Sequence, residues 1–151
     1  MAESKYGKYI ITRPKQMPAP EGMKEEDIQR MSEFSKLSMY IDDEVVPGAY
    51  YLMGNWMFKP TGKGSPDKEH EHDFDEYLIF LGTNPNDVFD LGGEVELWLG
   101  GEKHILTETC AVFIPAGLKH TPVYFRRIDR PIWYGATGPT KSYKKDIAEE
   151  A

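Results

Sequence analysis

Two histidines separated by a single residue, His70 and His72, restrict the fold of this chain more than any other feature. Residues two apart point to the same side of an extended strand, whereas on a helix they point about 200° apart. Two imidazoles that bind one small ligand from these positions therefore require a strand. A third histidine, His120, follows Pro115 and Gly117 further along, so two short segments hold three of the four histidines.

A carboxylate, Glu76, follows the histidine pair with the same strand parity. Four extended residues span about 13 Å, whereas the donors that share an ion lie only about 2 Å from it. The chain must therefore bend, and Asp73 and Asp75 favour a bend because aspartates hydrogen-bond their own backbone in turns. We expect His120 to reach the same point from another strand, after a reversal at residues 115–117. The segments together predict one metal site; the alternative is a solvated acidic turn around Glu76.

The first segment resembles the first motif of the cupin superfamily. The family pattern reads Gly, five residues, His-x-His, three or four residues, Glu, six residues, Gly. This chain has Gly64, five residues, His70-x-His72, three residues, Glu76, five residues and Gly82. All the ligand types of the motif are present.

The second segment resembles the centre of the second cupin motif, which reads Gly, five residues, Pro-x-Gly, two residues, His, three residues, Asn. Pro115, Gly117 and His120 match this centre, whereas Thr109 and Tyr124 stand where the family has Gly and Asn. Neither departure removes a ligand. We expect Tyr124 to share the parity of His120 and so to line the pocket beside the metal.

The resemblance covers roughly residues 49–134 and implies an all-β fold, the jelly-roll or double-stranded β-helix of a single cupin barrel. We predict an N-terminal arm and helix over residues 1–48, the barrel over 49–140, and a polar tail, either a frayed helix or disordered, over 141–151. The resemblance also implies a homodimer, often with exchanged N-terminal strands. An edge strand at residues 9–12 would suit that exchange.

Four apolar residues recur at three-residue intervals before the barrel: Ile28, Met31, Phe34 and Leu37. This stripe indicates an amphipathic helix over residues 24–38 that packs on the barrel. Short strands separated by turns are predicted to form the barrel itself: residues 49–58, 77–81, 95–99, 102–106, 111–114, 120–126 and 132–135. Residues 59–68 are predicted to be a loop before the metal motif, and the turn-rich residues 83–93 an ordered surface loop near the barrel mouth.

Composition limits the partners and the compartment. The chain has 25 acidic and 18 basic residues and a formal net charge of -7, which argues against nucleic acid because phosphate binding requires a basic surface. No apolar run approaches the roughly 20 residues of a membrane helix, and the first residues lack the apolar stretch of a signal peptide. The single cysteine, Cys110, fits a reducing compartment and is interpreted as a buried small residue rather than a nucleophile. We therefore expect a cytoplasmic protein.

Four residues outside the motifs leave functional and structural interpretations open. His104 lies in a predicted hairpin, where a surface histidine is favoured over a ligand or a proton shuttle. Arg126, Arg127 and Arg130 are suited to clamp a substrate carboxylate, because guanidinium matches that group bidentately. Arginines close to a strand end are nevertheless more often solvated or at an interface.

Three imidazoles and one carboxylate suit one divalent ion of iron, manganese, nickel, cobalt, copper or zinc. The predicted ligands are His70, His72, Glu76 and His120. The leading hypothesis is a metal-dependent enzyme that acts on an oxygen-bearing small molecule, with Phe80 and Tyr124 in the substrate pocket and Tyr124 as an acid or base. The resemblance leaves the reaction open among oxygenation, decarboxylation, isomerisation and dehydration. The alternative is a non-catalytic metal-containing binder or sensor of a small ligand; a barrel that has lost its metal is disfavoured because all four ligand positions are present.

Overall fold

The structure is a computed structural model that describes residues 4–15, 22–61, 69–140 and 146–147 of the 151-residue chain. Within these ranges the chain forms a 3-10 helix at Gly7–Tyr9, one α-helix and ten strands. In chain order these are α1 (Glu25–Phe34), β1 (Ser35–Ile41), β2 (Leu52–Met57), β3 (His70–Glu71), β4 (Glu76–Leu81), β5 (Asp90–Leu99), β6 (Glu102–Glu108), β7 (Cys110–Ile114), β8 (His120–Ile128), β9 (Ile132–Thr137) and β10 (Asp146–Ile147). None of the helices in the described part is long and apolar enough to cross a membrane.

The strands form two antiparallel sheets of five strands each. One has the order β1-β2-β9-β4-β7 and the other the order β10-β3-β8-β5-β6. Consecutive strands such as β3 and β4, or β8 and β9, lie in different sheets, so the chain passes repeatedly from one sheet to the other, as in a jelly roll. The core includes four completely buried side chains, Tyr51, Phe80, Leu97 and Ile132. The predicted all-β jelly-roll fold is confirmed.

β5 and β6 form the hairpin that the sequence predicts. Val95 and Leu97 of β5 are completely buried. Gly100 and Gly101 connect the strands with φ angles of 56° and 82°, a left-handed conformation that glycine adopts without steric cost. The turn chemistry therefore determines where β5 ends.

The N-terminal region differs from the prediction. α1 is shorter than expected, and Leu37 lies in β1, where the backbone pairs with β2. Ile28 and Met31 are 38% and 41% exposed and no residue of α1 is buried, so the helix does not pack on the barrel as predicted. Without Leu37 the apolar stripe is too short to bury a helix face. The first sheet begins at Ser35, within the range 1–48 assigned to the arm and helix.

The terminal segments also differ from the prediction. Tyr9 ends the 3-10 helix, and residues 10–12 pair with no strand in the described part of the chain, so the edge strand predicted there does not form. Asp146–Ile147 form β10 where the sequence predicts a frayed helix or disorder, because they pair with β3 and satisfy its edge. The rest of the tail, and residues 62–68 with Gly64 of the first motif, lie outside the described residues.

The turn-rich segment after β4 forms a loop only as far as Phe89, because β5 begins at Asp90. Antiparallel pairing places Leu99, the last residue of β5, opposite His120. Asp90 therefore lies about 30 Å from that point along the strand, at 3.3 Å per residue. The loop does not border the predicted metal site, contrary to its expected place near the barrel mouth.

Candidate metal centre

Three histidines converge at one end of the sheets. His70 begins β3 and is the antiparallel partner of His120, the first residue of β8. His72 follows β3 with the same parity as His70. One ring nitrogen from each histidine lies within 4.8 Å of the corresponding atoms of the other two, and each residue is at most 3% exposed. The structure thus brings together the three histidines that the spacing singles out.

Two turns hold the histidine segments against each other. After His72 the chain bends as predicted and crosses to the other sheet. Within this bend, Asp75 Oδ1 accepts a hydrogen bond of 2.9 Å from the Ala116 N–H. The Gly117 N–H donates to the His72 carbonyl at 2.8 Å, and Gly117 has a φ of 84°, which favours glycine. The Pro-x-Gly turn therefore braces the first motif as well as positioning the second.

Glu76, the first residue of β4, directs its carboxylate into the cluster. Its Oε1 lies 3.4 Å from His120 Nε2, and its Oε2 lies 3.6 Å from His72 Nε2. The Tyr51 hydroxyl donates a hydrogen bond of 2.5 Å to Oε2. Burial raises the pKa of Glu76, but its polar interactions with His120, Tyr51 and His72 outweigh burial and hold the pKa below the ordinary value. The lowered pKa keeps the carboxylate ionised as long as a proton or a cation lies between it and the rings.

Hydrogen bonds behind the rings determine which nitrogens face the cluster. His120 Nδ1 lies 2.9 Å from the Leu118 carbonyl, which can only accept, so Nδ1 carries the proton of the neutral ring and Nε2 presents a lone pair. This lone pair and the Glu76 oxygen repel each other unless a cation or an additional proton lies between them. His120 Nε2 is buried without a hydrogen-bond partner in the described part of the chain. The donor set fits a bound divalent cation.

Thr121 orients a second ring in the same way. Its hydroxyl donates to the His120 carbonyl and lies 3.2 Å from His70 Nδ1. Because the single hydroxyl proton is already used, the oxygen accepts from His70 Nδ1 and leaves Nε2 of that ring for the cluster. Thr121 has a φ of 70°, a conformation that residues other than glycine rarely adopt. Such conformations concentrate at functional sites.

A cavity of about 150 Å³ adjoins the cluster and is lined by His70, Glu76 and His120. Six further side chains contribute to its wall, three of them apolar and three polar: Met53, Leu78, Ala136, Asn55, Thr121 and Tyr134. A cavity of this volume accepts a ligand of about six non-hydrogen atoms. The cluster is therefore accessible to a small molecule.

Tyr124, the predicted pocket hydroxyl, does not line this cavity. His120 of β8 pairs with Leu99 of β5, and Val123 pairs with Leu97. Between these two pairs β8 has one residue more than β5, so β8 bulges after His120. The extra residue reverses the parity, so Val123 is buried in the core and Tyr124 faces outward. The predicted parity is wrong because a bulge interrupts the regular strand.

Phe80 has the predicted parity but lies in the core. One face of β4 is buried and carries Glu76, Leu78 and Phe80. Of these, Glu76 and Leu78 line the cavity. Phe80 is one step deeper, completely buried, and stacks on Tyr134 with 5.0 Å between ring centroids. Phe80 therefore supports a cavity residue instead of lining the substrate pocket as predicted.

The arginines at the end of β8 are paired with acids on the outer surface. Arg126 forms ion pairs with Glu94 and the buried Glu96, and Arg127 forms ion pairs with Glu94 and Asp129. These contacts favour the structural interpretation of Arg126 and Arg127 over a substrate clamp.

His104 is a surface histidine, as expected. Its side chain is 44% exposed, and Nε2 lies 3.4 Å from the Glu102 carboxylate. Cys110 is partly buried; burial, and secondarily the charge of Glu108, raise the pKa of its thiol. A raised pKa opposes a nucleophilic thiolate.

Three residues of the site are not predicted from the sequence: Tyr51, Asn55 and Thr121. Tyr51 reaches Glu76 across 25 positions of sequence, which no local pattern reveals. Thr121 adjoins His120, yet its contact with His70 depends on an irregular backbone. Asn55 does carry a signal, since it is a polar residue on the inward parity of an apolar strand.

Sequence comparison finds no matching family model and no curated relative. Solved structures are similar. The polyketide cyclase RemF from Streptomyces resistomycificus is 17% identical, with a TM-score of 0.51 over 79% of this chain and 74% of that chain. A recombinant oxalate oxidase in complex with glycolate is 13% identical, with a TM-score of 0.50 over 76% of this chain; the chain spans 55% of that protein. Two facing sheets, two cupin-like motifs at one cluster and these similarities identify the fold of this chain as that of the cupins.

Proposed function

We propose that His70, His72, His120 and Glu76 bind one divalent transition metal ion, and that the protein is a metal-dependent enzyme acting on an oxygen-bearing small molecule. The observation that carries this proposal is the buried contact of 3.4 Å between His120 Nε2 and Glu76 Oε1. Three imidazole nitrogens and one carboxylate oxygen suit iron, manganese, nickel, cobalt, copper or zinc.

A bound ion would polarise a carbonyl or carboxylate of the substrate, or lower the pKa of a bound water. The residues of the chain hold the donors in place. The Tyr51 hydroxyl holds Glu76 Oε2, and the Leu118 carbonyl and the Thr121 hydroxyl hold the rings of His120 and His70. Each of these contacts orients a donor before a ligand arrives, which lowers the free-energy cost of assembling the site.

This proposal covers the metal site and the type of substrate and does not specify the class of reaction. The similar structures include proteins described as a polyketide cyclase and as an oxalate oxidase, so one fold carries different chemistry. The outward position of Tyr124 favours a second candidate function, a metal-containing binder or sensor of a small ligand. The hydroxyl expected to act as an acid or base does not line the cavity.

Metal analysis comes first. The untagged protein, His120→Ala and the matched control His104→Ala are purified side by side, and their metal content is measured by mass spectrometry. We expect about one ion per chain in the first and third proteins, and a large loss in His120→Ala. Equal metal content in all three proteins, or none in any, would contradict the proposed site.

Activity assays then separate the enzyme from the binder. The metal-loaded protein is incubated with small hydroxy acids and keto acids, first without and then with oxygen, and products are followed by NMR. Turnover supports the enzyme. Saturable binding without turnover supports the binder, and neither binding nor turnover would count against both functions.

We also propose that the protein is a homodimer. The outer face of the first sheet carries Tyr77, Leu81 and Phe113, which are 41–50% exposed, and the rings of Tyr77 and Phe113 lie 5.3 Å apart. Clustered apolar side chains on a sheet face favour burial against a partner. Light scattering is expected to give twice the chain mass of 17.3 kDa, and a mass equal to one chain would contradict the dimer.

A further inference from the structure

Asn55 is a polar residue at a position that packing would fill with an apolar one. Met53, Asn55 and Met57 occupy the inward parity of β2, and Asn55 pairs with Tyr134 of β9. Met57 belongs to the core, and Met53 packs against it. Asparagine is depleted in strands, and an apolar side chain here would add to buried apolar area. The fold therefore does not account for Asn55.

The carboxamide of Asn55 lines the cavity beside the metal cluster. It makes no hydrogen bond to any residue of the described chain, although it offers two N–H donors and a carbonyl acceptor. Its neighbours in the cavity wall include the apolar Met53, Leu78 and Ala136 and the polar Thr121 and Tyr134. Asn55 is half-buried, so its carboxamide is open to a ligand that enters the cavity.

We infer that Asn55 selects the substrate of the metal centre by hydrogen bonding an oxygen that the ion does not bind. This inference rests on the proposed function, because the ion would bind other oxygens of the same substrate. The substrate class is then a three-carbon hydroxy acid or hydroxyketone with a further hydroxyl group. The volume of about 150 Å³ sets the size, about six non-hydrogen atoms.

Two pairs of ligands that differ by a single hydroxyl group test the inference. Glycerate is compared with lactate, and dihydroxyacetone with hydroxyacetone. Dissociation constants are measured on the cobalt-loaded protein from the change in the visible absorption of the ion. We expect the hydroxylated member of one pair to bind about tenfold more tightly, the gain from one well-placed hydrogen bond. The charged pair identifies an acid as the substrate, and the neutral pair a ketone.

Substitutions of Asn55 test whether its carboxamide causes the preference for the hydroxylated ligand. Asn55→Leu, which has the same branching and the same number of non-hydrogen atoms, is expected to abolish the preference, and Asn55→Ala to do the same without the risk of overpacking. Met57→Leu, on the same strand with the same parity but outside the cavity wall, is the matched control and is expected to keep it. Cobalt affinity and melting temperature are measured for each variant, because a change confined to ligand preference excludes a general loss of structure.

The outcomes separate the two proposals. A wild-type protein that binds no cobalt contradicts the proposed metal function, and the inference falls with it. A protein that binds cobalt but does not discriminate within either pair leaves the metal site standing and overturns the role of Asn55. The same holds if Asn55→Leu and Asn55→Ala retain the preference of the wild type.

Discussion

Among the residues that the structure describes, two glutamates are buried, Glu76 on β4 and Glu96 on β5, at 2% and 5% exposure. Glu96 forms an ion pair with Arg126 and accepts a hydrogen bond of 2.8 Å from the Trp98 indole. Its charge is therefore balanced by a side chain that is always protonated. Glu96 stabilises the outer face of the second sheet.

Glu76 has different neighbours. The nearest basic groups are imidazoles, which unlike a guanidinium carry no permanent positive charge. A buried carboxylate requires a compensating charge. At Glu76 that charge must come from a bound cation or from protons taken up by the rings. Burial of a carboxylate is thus not enough to identify a functional site; the origin of the compensating charge distinguishes the two glutamates.

Neutralising each glutamate in turn is expected to give the largest difference between the two sites, measured as metal affinity. Glu76→Gln should lose at least about 100-fold in metal affinity, since even groups that only support a ligand contribute 10- to 100-fold. Glu96→Gln should bind metal as the wild type does. Competition titration with a chelator measures both variants. Similar losses in both would contradict the distinction.

Removal of the cation at Glu96 is expected to have the next largest effect. Arg126→Met keeps an unbranched apolar stem but leaves a buried carboxylate without its partner, which should lower the free energy of unfolding by about 2 kcal/mol. The loss is smaller than for a fully buried pair because Arg126 is 47% exposed. Urea unfolding measures it, with Arg130→Met as the control. An unchanged unfolding midpoint would show that Glu96 is balanced in another way.

Tyr51→Phe tests whether a neighbouring hydroxyl group keeps Glu76 ready to bind a metal ion. Loss of the hydroxyl removes a donor to Glu76 Oε2, so the pKa of Glu76 should rise towards its ordinary value. Metal binding requires the ionised carboxylate, so the fall in metal affinity at acid pH should begin at a higher pH than in the wild type. At neutral pH we expect about a tenfold loss of affinity. Tyr77→Phe, on the exposed side of β4, is the control, and identical pH profiles for both variants would contradict this role.

A third buried carboxylate, Asp42, provides the smallest test. Burial raises the pKa of Asp42, but the Lys15 ammonium at 3.1 Å and the backbone N–H groups of Val45 and Glu44 outweigh it and lower the pKa. A carboxylate whose pKa is lower in the folded than in the unfolded protein stabilises the fold at pH values above its unfolded pKa. This stabilisation is lost as the pH falls through its folded pKa. Asp42→Asn should therefore cost about 1 kcal/mol at pH 7 and much less under strongly acidic conditions. An equal difference in unfolding free energy at both pH values would contradict the charge-based explanation.

Local rules predict the parts of the site that depend on a few adjacent residues. The spacing of His70 and His72 predicts a strand, and the aspartates after it predict the bend that brings Glu76 to the cluster. The Pro-x-Gly turn before His120 is likewise a local feature. Because each of these features depends on turn geometry or strand parity over a short segment, sequence alone is sufficient for them.

The predictions that fail depend on long-range structure or on an irregular backbone. A bulge after His120 reverses the parity expected for Tyr124, and the local sign of it is Pro122, since proline within a strand is confined to edges and bulges. Tyr51 contacts Glu76 only because β2 and β4 both pair with β9. Leu37 joins a sheet although its spacing suits a helix, because backbone pairing with β2 overrides the local periodicity.

Anomalous X-ray scattering at the absorption edge of the bound metal tests the central claim most directly. Crystals of the metal-loaded protein should show a single strong peak about 2.0–2.2 Å from one nitrogen of each of His70, His72 and His120 and from an oxygen of Glu76. A peak elsewhere on the chain, or metal-loaded crystals in which the His120 ring points away from Glu76, would contradict the proposed metal centre.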